Sequence, residues 1–381
     1  MKIHGKSRTS IWVNDAVGST AVAAHTTNAA NTTPHSVHII DQTLLPFALE
    51  EHEMVSLEQT VEAIRSMRVR GAPLIGVTAA YGVALAMNMD STDTALQNAC
   101  RALAATRPTA VNLAWSLERM KRVLTPLDEL DRTDAAWREA GLMAREDIDT
   151  NAAIGRHGLE LIRALYAKHH RVINVLTHCN AGALACVDWG TATAPIYMAH
   201  NAGIPVHVWV DETRPRNQGL LTAWELRERG VPHTYIVDNA GGHLLQYGKV
   251  DMVLVGVDRV SCHGDIANKI GTYQKALAAH DNKVPFYAAT PSSSIDWQLD
   301  NAHQEIEIEE RHADEIRHLR GQSADGIIRD FRILDEASAV ANPGFDITPS
   351  RLISGIITER GIATPNNLAA MFPVESARKK I

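Results

Sequence analysis

The chain has 381 residues, of which 45% are hydrophobic and 21% charged, and its formal net charge is −7. That length provides for about two domains with sizeable cores. The acidic balance excludes a general attraction for nucleic acid or anionic lipid, while leaving room for a local basic pocket that holds a small anion. The four cysteines, Cys100, Cys179, Cys186 and Cys262, form neither a C-x-x-C pair nor a disulfide-like framework, which fits a reducing compartment.

The N-terminal stretch carries Lys2, Lys6 and Arg8 without the apolar core of a signal peptide, so a cytoplasmic chain is expected. Residues 16 to 36 are rich in Ala, Thr, Asn and His and read as a loop or hairpin. Ile39 to Pro46 reads as a strand entering a turn. Leu57 to Met67 has helical spacing, with Val61, Ile64 and Met67 on one face.

Arg70-Gly71-Ala72-Pro73 comes next. Pro73 suits the first turn of a helix, and the apolar run Leu74 to Met87 continues it. That run is shorter than the roughly 20 residues of a membrane span, which favours a buried helix. Gly71 and Ala72 would leave backbone N–H groups open beside Arg70, an anion site; the alternative is a tight turn with Arg70 in solvent. Arg107-Pro108 repeats the pattern before a helix to about Leu124, so a phosphate pocket sharing both arginines is expected. Residues 125 to 135 read as a connection. Ala135 to Lys168 reads as a helix with a break near Asn151, bridging two domains with boundaries 1–134 and 135–381.

From Arg171 the pattern changes. Strands are expected at Val172–Thr177, Val206–Val210, Thr234–Val237, Met252–Val257 and Phe286–Thr290, with helices between them. Alternation of this kind gives a parallel, doubly wound sheet that binds ligands at the carboxyl ends of its strands. Cys179, Asp211, Glu212, Asp238 and Asp258 all fall on that edge. A helix after Gly182 would put Cys179 at a helix N-terminus, where a thiol pKa is depressed; the rival reading is a small buried hydrophobe. After Asp258, Gly264 marks a turn, and Asp265 suits the N-cap of a helix with Asn268 and Lys269 in its first turn. Ile306 to Arg311 reads as a further strand, Asn342 to Pro349 as turns, and Ser350 to about Thr358 as a helix. His178, Cys179, His243, Cys262, His263 and Asp265 are all metal-ligand types, but none shows the spacing of a zinc site. No G-x-G-x-x-G follows the first sheet strand and no serine nucleophile elbow is present, so neither metal nor cofactor is expected.

Several segments together resemble one family: RGAP at Arg70, RPTAVNL at Arg107, THCNAGALA around Cys179, DETRPRNQG with LTAWEL, VGVDRVSCHGDIANKIGTY, ATPSSSID, IEIEER and NPGFDITPSRLISGIITERG. In this order, from about Asp41 to Pro365, they are similar to the methylthioribose-1-phosphate isomerases of methionine salvage. The wider family includes ribose-1,5-bisphosphate isomerases and regulatory subunits of a translation initiation exchange factor. The resemblance implies an α/β chain with a small, mostly helical N-terminal domain and a Rossmann-like C-terminal domain. It implies a homodimer that acts on a sugar phosphate without nucleic acid, membrane or cofactor. It further implies that Cys179 and Asp258 are catalytic, and that Arg70, Gly71, Ala72, Arg107, Gln218, Asn268 and Lys269 bind substrate. One departure stands out: Gln218-Gly219-Leu220-Leu221-Thr222 is one residue shorter than the family's Q-G-x-R-L-T and lacks its arginine. A 5-deoxyribose 1-phosphate or related pentose 1-phosphate therefore stands as the alternative substrate, and a non-catalytic regulatory subunit as a third reading.

Overall fold

The computed structural model describes residues 1–14, 36–107 and 110–373; the loop expected over 16 to 36, except Ser36, and the helix start at Pro108 lie outside them. Two compact units emerge. One holds Met1, Lys6–Asn151 and Ala183–Gly190; the other holds Lys2–Gly5, Ala152–Gly182 and the chain from Thr191.

In the first unit, strands Ile11–Asn14, Ser36–Ile40 and Glu51–Met54 form an antiparallel sheet in that order. Helix α1 (Leu57–Arg65) starts where Ser56 accepts a hydrogen bond from the Gln59 N–H, an N-cap. Helix α2 (Ala72–Met89) is apolar nearly all round, as befits a core helix. It is the one helix among the described residues long and apolar enough to cross a membrane, and most of it is buried inside the protein. Helix α3 (Asp93–Ala104) was not anticipated from the sequence; Thr92 caps it, and Leu96, Cys100 and Leu103 face the core. Helix α4 is Val111–Leu124.

Helix α5 runs from Glu129 to His169 over 41 residues. It starts inside the expected connection and has no break at Asn151. The Asn151 Nδ2 donates to the Asp147 carbonyl at 2.8 Å, a bond made back into the helix rather than in a turn. The segment Ala183–Gly190 is pinned in the same unit. Ser10 Oγ donates to the Ala183 carbonyl and Gln42 Nε2 to the Leu184 carbonyl, both at 2.6 Å. The buried Asp147 carboxyl accepts the Val187 N–H at 2.7 Å. Burial pushes that carboxyl up to about 7.

The second unit is built on a seven-stranded sheet: β1 (Ile173–Thr177), β2 (Val206–Asp211), β3 (His233–Ile236), β4 (Met252–Gly256), β5 (Phe286–Ala289), β6 (Gly355–Thr358) and β7 (Gly361–Ala363). The spatial order is 7-6-5-4-1-2-3. All neighbours are parallel except the antiparallel pair β6–β7. Every residue of β4 is buried, which explains its unbroken apolar sequence. Helices α6 (Thr193–Asn201), α7 (Gly219–Glu228), α8 (Ala240–Gln246) and α9 (Thr272–Asp281) accompany the sheet.

Two expectations fail near the C-terminus. Ser350 to Thr358 is not a helix: a 3₁₀ turn over Ser350–Leu352 leads into β6. Ile356 and Ile357 are fully buried there and pair with Ala288 and Ala289, where β-branched side chains fit best. Ile306 to Arg311 is not a strand, and only a single bridge joins Glu310 to Pro343. A hairpin of His318–Gln322 and Ile328–Arg332 occupies part of the charged region before Asn342.

Candidate active site

Strand order reverses between β1 and β4, with β2 and β3 running outward on one side and β5 and β6 on the other. Such a switch point opens a crevice at the carboxyl ends of the strands. Cys179 lies two residues beyond the end of β1, and Asp258 two residues beyond the end of β4. The two strands are direct neighbours, with Leu176 opposite Val253. Gly256 ends β4 against the loop that follows β1. A Cβ there would stand 2.5 Å from the Ala181 Cβ, so only glycine lets the Cys179 loop close onto this strand.

Cys179 has a left-handed backbone, with φ of 67°. Its N–H donates to Thr213 Oγ1 at 2.8 Å, and its carbonyl accepts from Thr222 Oγ1 at 2.8 Å. The loop after β2 and the first turn of α7 therefore grip the cysteine backbone from both sides. No α-helix begins here, contrary to expectation: the chain continues to a 3₁₀ turn at Ala183–Ala185, and α6 starts only at Thr193. Gly182 packs against the Glu225 carboxylate, which leaves no room for a side chain. That carboxylate accepts from Asn180 Nδ2 at 2.9 Å and from the Tyr197 hydroxyl at 3.1 Å. The loop that carries Cys179 thus starts no α-helix of its own, and the helix start it touches is that of α7, whose Thr222 meets the Cys179 carbonyl.

The Asp258 N–H donates to the Ala267 carbonyl at 3.1 Å and opens a hairpin of Arg259–Ser261 and Ile266–Lys269. Asn268 and Lys269 are therefore on a strand, not in a first helical turn. Phe345–Thr348 pairs with that strand, Asn268 opposite Asp346, and so supplies the backbone partners that a helix would have supplied internally. Asp265 caps no helix; its carboxylate accepts from the Ser350 N–H at 2.8 Å. Asn268 is buried and donates to Thr272 Oγ1 at 2.9 Å. Lys269 Nζ donates to the Gly344 carbonyl at 2.8 Å and lies 4.5 Å from the Phe345 ring centroid. Gln218, 8% exposed at the start of α7, has a side-chain oxygen with no hydrogen-bond partner in the protein. A buried polar atom of that kind calls for an explanation, and a ligand supplies one.

Next to Cys179 is a charged network that the sequence reading did not assemble. His178 is buried, its Nδ1 3.1 Å from Asp211 Oδ2 and its Nε2 2.8 Å from the Ile270 carbonyl. The buried Lys275 ammonium is 3.0 Å from the same Asp211 oxygen. Asp238 accepts the N–H groups of Thr213 and Arg214 at 2.9 and 2.8 Å, and Asp346 accepts those of Gly271 and Tyr273 at 2.7 and 3.1 Å. Burial raises the Asp346 pKa against the pull of those N–H groups. His178, Asp211 and Asp238 are close enough together to suit a metal, but Lys275 already supplies a cation there. The signal that pointed to this network was the placement of Asp211 and Asp238 on the ligand edge. Nothing local marked Lys275, which comes from α9.

Four expected residues belong to the first unit. Gly71 caps α2 with φ of 89°, and a Cβ on it would lie 2.3 Å from the Ala185 carbonyl oxygen. Ala72 and Pro73 open the helix behind it, leaving the first-turn N–H of Ala72 outside the helical ladder. Arg70 is half-buried. Arg107, also half-buried, accepts the Ala110 N–H on its carbonyl at 3.1 Å, ahead of α4.

The family model described as "Initiation factor 2 subunit family" matches residues 68–365. Among curated proteins, the methylthioribose-1-phosphate isomerase of Rhodospirillum centenum is 56% identical over 382 residues, covering 99% of this chain and 97% of its own. That of Acidiphilium cryptum is 58% identical over 376 residues, covering 98% of each. Among solved structures, the 5-methylthioribose 1-phosphate isomerase of Pyrococcus horikoshii OT3 superposes with a TM-score of 0.77 at 38% identity, covering 89% of this chain and 94% of its own. The translation initiation factor eIF-2B subunit delta of A. fulgidus gives 0.76 at 34%, covering 96% and 100%.

Proposed function

The chain belongs to the initiation factor 2 subunit family, and we propose that within it the protein is an aldose–ketose isomerase of methionine salvage, converting 5-methylthioribose 1-phosphate to 5-methylthioribulose 1-phosphate. The substrate follows from its full-length likeness to relatives of that name. The chemistry rests on one observation: a thiol and a carboxyl follow adjacent parallel strands at the reversal of strand order.

The substrate dictates what these groups must do. An esterified anomeric oxygen cannot leave a free aldehyde, so the furanose ring has to open with the phosphate in place. Protonated Asp258 gives its proton to the ring oxygen as the C1–O bond breaks. The Cys179 thiolate removes the proton from C2, forming an enol between C1 and C2. The resulting thiol returns that proton to C1, and the Asp258 carboxylate takes the proton from the C2 hydroxyl as the ketone forms. Both groups end as they began. Holding a carboxyl neutral near pH 7 requires a poorly solvated site, and the buried residues of β4 lead directly to Asp258. In the second unit, Lys269 supplies positive charge for the phosphate, and Gln218 and Asn268 take the sugar hydroxyls; in the first, the resemblance assigns substrate binding to Arg70, Arg107 and the backbone N–H groups of Gly71 and Ala72 at a helix start.

The test is turnover of 5-methylthioribose 1-phosphate and 5-deoxyribose 1-phosphate side by side, each also labelled with deuterium at C2. Faster turnover of the first with part of the label lost to solvent is expected. Faster turnover of the second would move the assignment to the alternative substrate, and complete label retention would replace proton abstraction with a hydride shift. A regulatory role, suggested by the likeness to an eIF-2B subunit, leaves a thiol–carboxyl pair on the ligand edge without a purpose.

A further inference from the structure

The hairpin after Asp258 turns through Cys262, His263 and Gly264, and its tip faces Asp300. His263 Nε2 is 2.9 Å from Asp300 Oδ1, and Cys262 Sγ is 3.7 Å from the same oxygen. All three donor atoms lie within 4.8 Å of one another. We infer that Cys262, His263 and Asp300 form a binding site for a divalent cation of the zinc class, separate from the residues assigned to the isomerisation.

The chemistry of the donors selects the ion. A thiolate, an imidazole and a carboxylate together suit a borderline-soft metal, with bonds of about 2.3 Å to sulfur and about 2.0–2.2 Å to nitrogen and oxygen. A tetrahedron with those bond lengths has edges of about 3.4 Å between nitrogen and oxygen and about 3.6 Å between sulfur and oxygen. The observed 2.9 and 3.7 Å need only small side-chain shifts to match. The backbone beneath is already fixed. The Cys262 N–H donates to the Leu299 carbonyl at 3.1 Å, tying the turn to the segment that carries Asp300. Further back along both segments Val260 pairs with Ile295 and Ser261 with Asp296, and the Gly264 N–H closes the turn on the Ser261 carbonyl at 2.9 Å. His263 and Asp300 have side chains 62% and 64% exposed, so an ion enters directly from solvent and water completes its coordination. Binding takes the thiolate form of Cys262, so a proton is released.

The test is titration of the chelator-treated full chain with Co²⁺, followed by thiolate-to-cobalt charge-transfer absorption, with Zn²⁺ as competitor. One equivalent binding with that band is expected, as is its loss in Cys262→Ser and its survival in Cys179→Ser. His263→Gln and Asp300→Asn should weaken binding at least about 10-fold, the minimum that even outer-shell changes cost at metal sites. Zn²⁺ should raise the melting temperature of the unaltered chain alone. The site is refuted if no thiolate band appears at saturating Co²⁺, if the band survives Cys262→Ser, or if His263→Gln and Asp300→Asn bind as tightly as the parent; His263 and Asp300 would then form only a surface ion pair. Should Cys262→Ser fail to fold, the two exposed variants decide the matter.

Discussion

Gly256 and Lys275 show how single residues hold this site. Replacing Gly256 with alanine puts a methyl group 2.5 Å from the Ala181 side chain, and the loop bearing Cys179 has to move away from the end of β4. Overpacking of this kind costs about 1–3 kcal/mol. Gly256→Ala should therefore lower kcat more than it lowers the urea midpoint; an unchanged kcat would show that the loop position is not critical. Lys275 answers a different need. It is 2% exposed and faces the fully buried Asp211, and taking one partner out of such a pair leaves a buried charge uncompensated. Lys275→Met should destabilise the protein by on the order of 3 kcal/mol, read from urea unfolding. A loss within experimental error would mean that His178 alone balances Asp211.

Individual elements show where local pattern was enough and where it was not. Strands β1 to β5 were legible because each is a β-branched or apolar run bounded by turn residues, and α2 because Pro73 opens a long apolar stretch. Their order alone places Cys179 and Asp258 on one edge. Helix α3 was equally legible and was missed: Thr92 is a good cap, and Leu96, Cys100 and Leu103 fall on one helical face. Ile266–Lys269 and β6 were misread for a physical reason. Each gains its backbone partners from a strand distant in sequence, Phe345–Thr348 for the first and β5 for the second, and no local signal reports a distant partner. Asp265 reads as a cap because it follows the Gly264 turn and Asp is a favoured N-cap residue; here the N–H it meets belongs to Ser350. The break expected in α5 failed because Asn151 bonds back into its own helix.

Helix α5 also carries a pH-dependent term. The Asp147 carboxyl is raised to about 7 by burial, whereas the unfolded chain ionises it near about 3.9. The folded state thus keeps the proton to higher pH than the unfolded one. The stability this contributes is complete below the unfolded value and is lost as pH rises through about 7. Asp147→Asn stays neutral throughout and keeps an acceptor for the Val187 N–H. Its stability relative to the parent should increase between pH 5.5 and pH 8.5 by on the order of 2 kcal/mol, measured by denaturant midpoints. A constant difference would show that Asp147 ionises normally.

On the scale of the whole molecule, the second unit is a doubly wound sheet in the order expected of a dinucleotide fold, yet its first strand leads to THCNAG, with no glycine-rich phosphate loop. The crevice at the switch point is therefore available to side-chain chemistry, which is what the proposed isomerisation uses. The family resemblance implies a homodimer; light scattering at micromolar concentration should then give twice the 41.6 kDa chain mass, and a stable active monomer would remove that expectation. The central claim is that Cys179 and Asp258 exchange protons with the substrate, and one rate tests it most directly. General acid–base groups contribute about 10²- to 10⁴-fold, so Cys179→Ala, folded and able to bind 5-methylthioribose 1-phosphate, should turn it over at least about 10²-fold more slowly than the parent. Turnover within a few-fold of the parent would contradict the assignment.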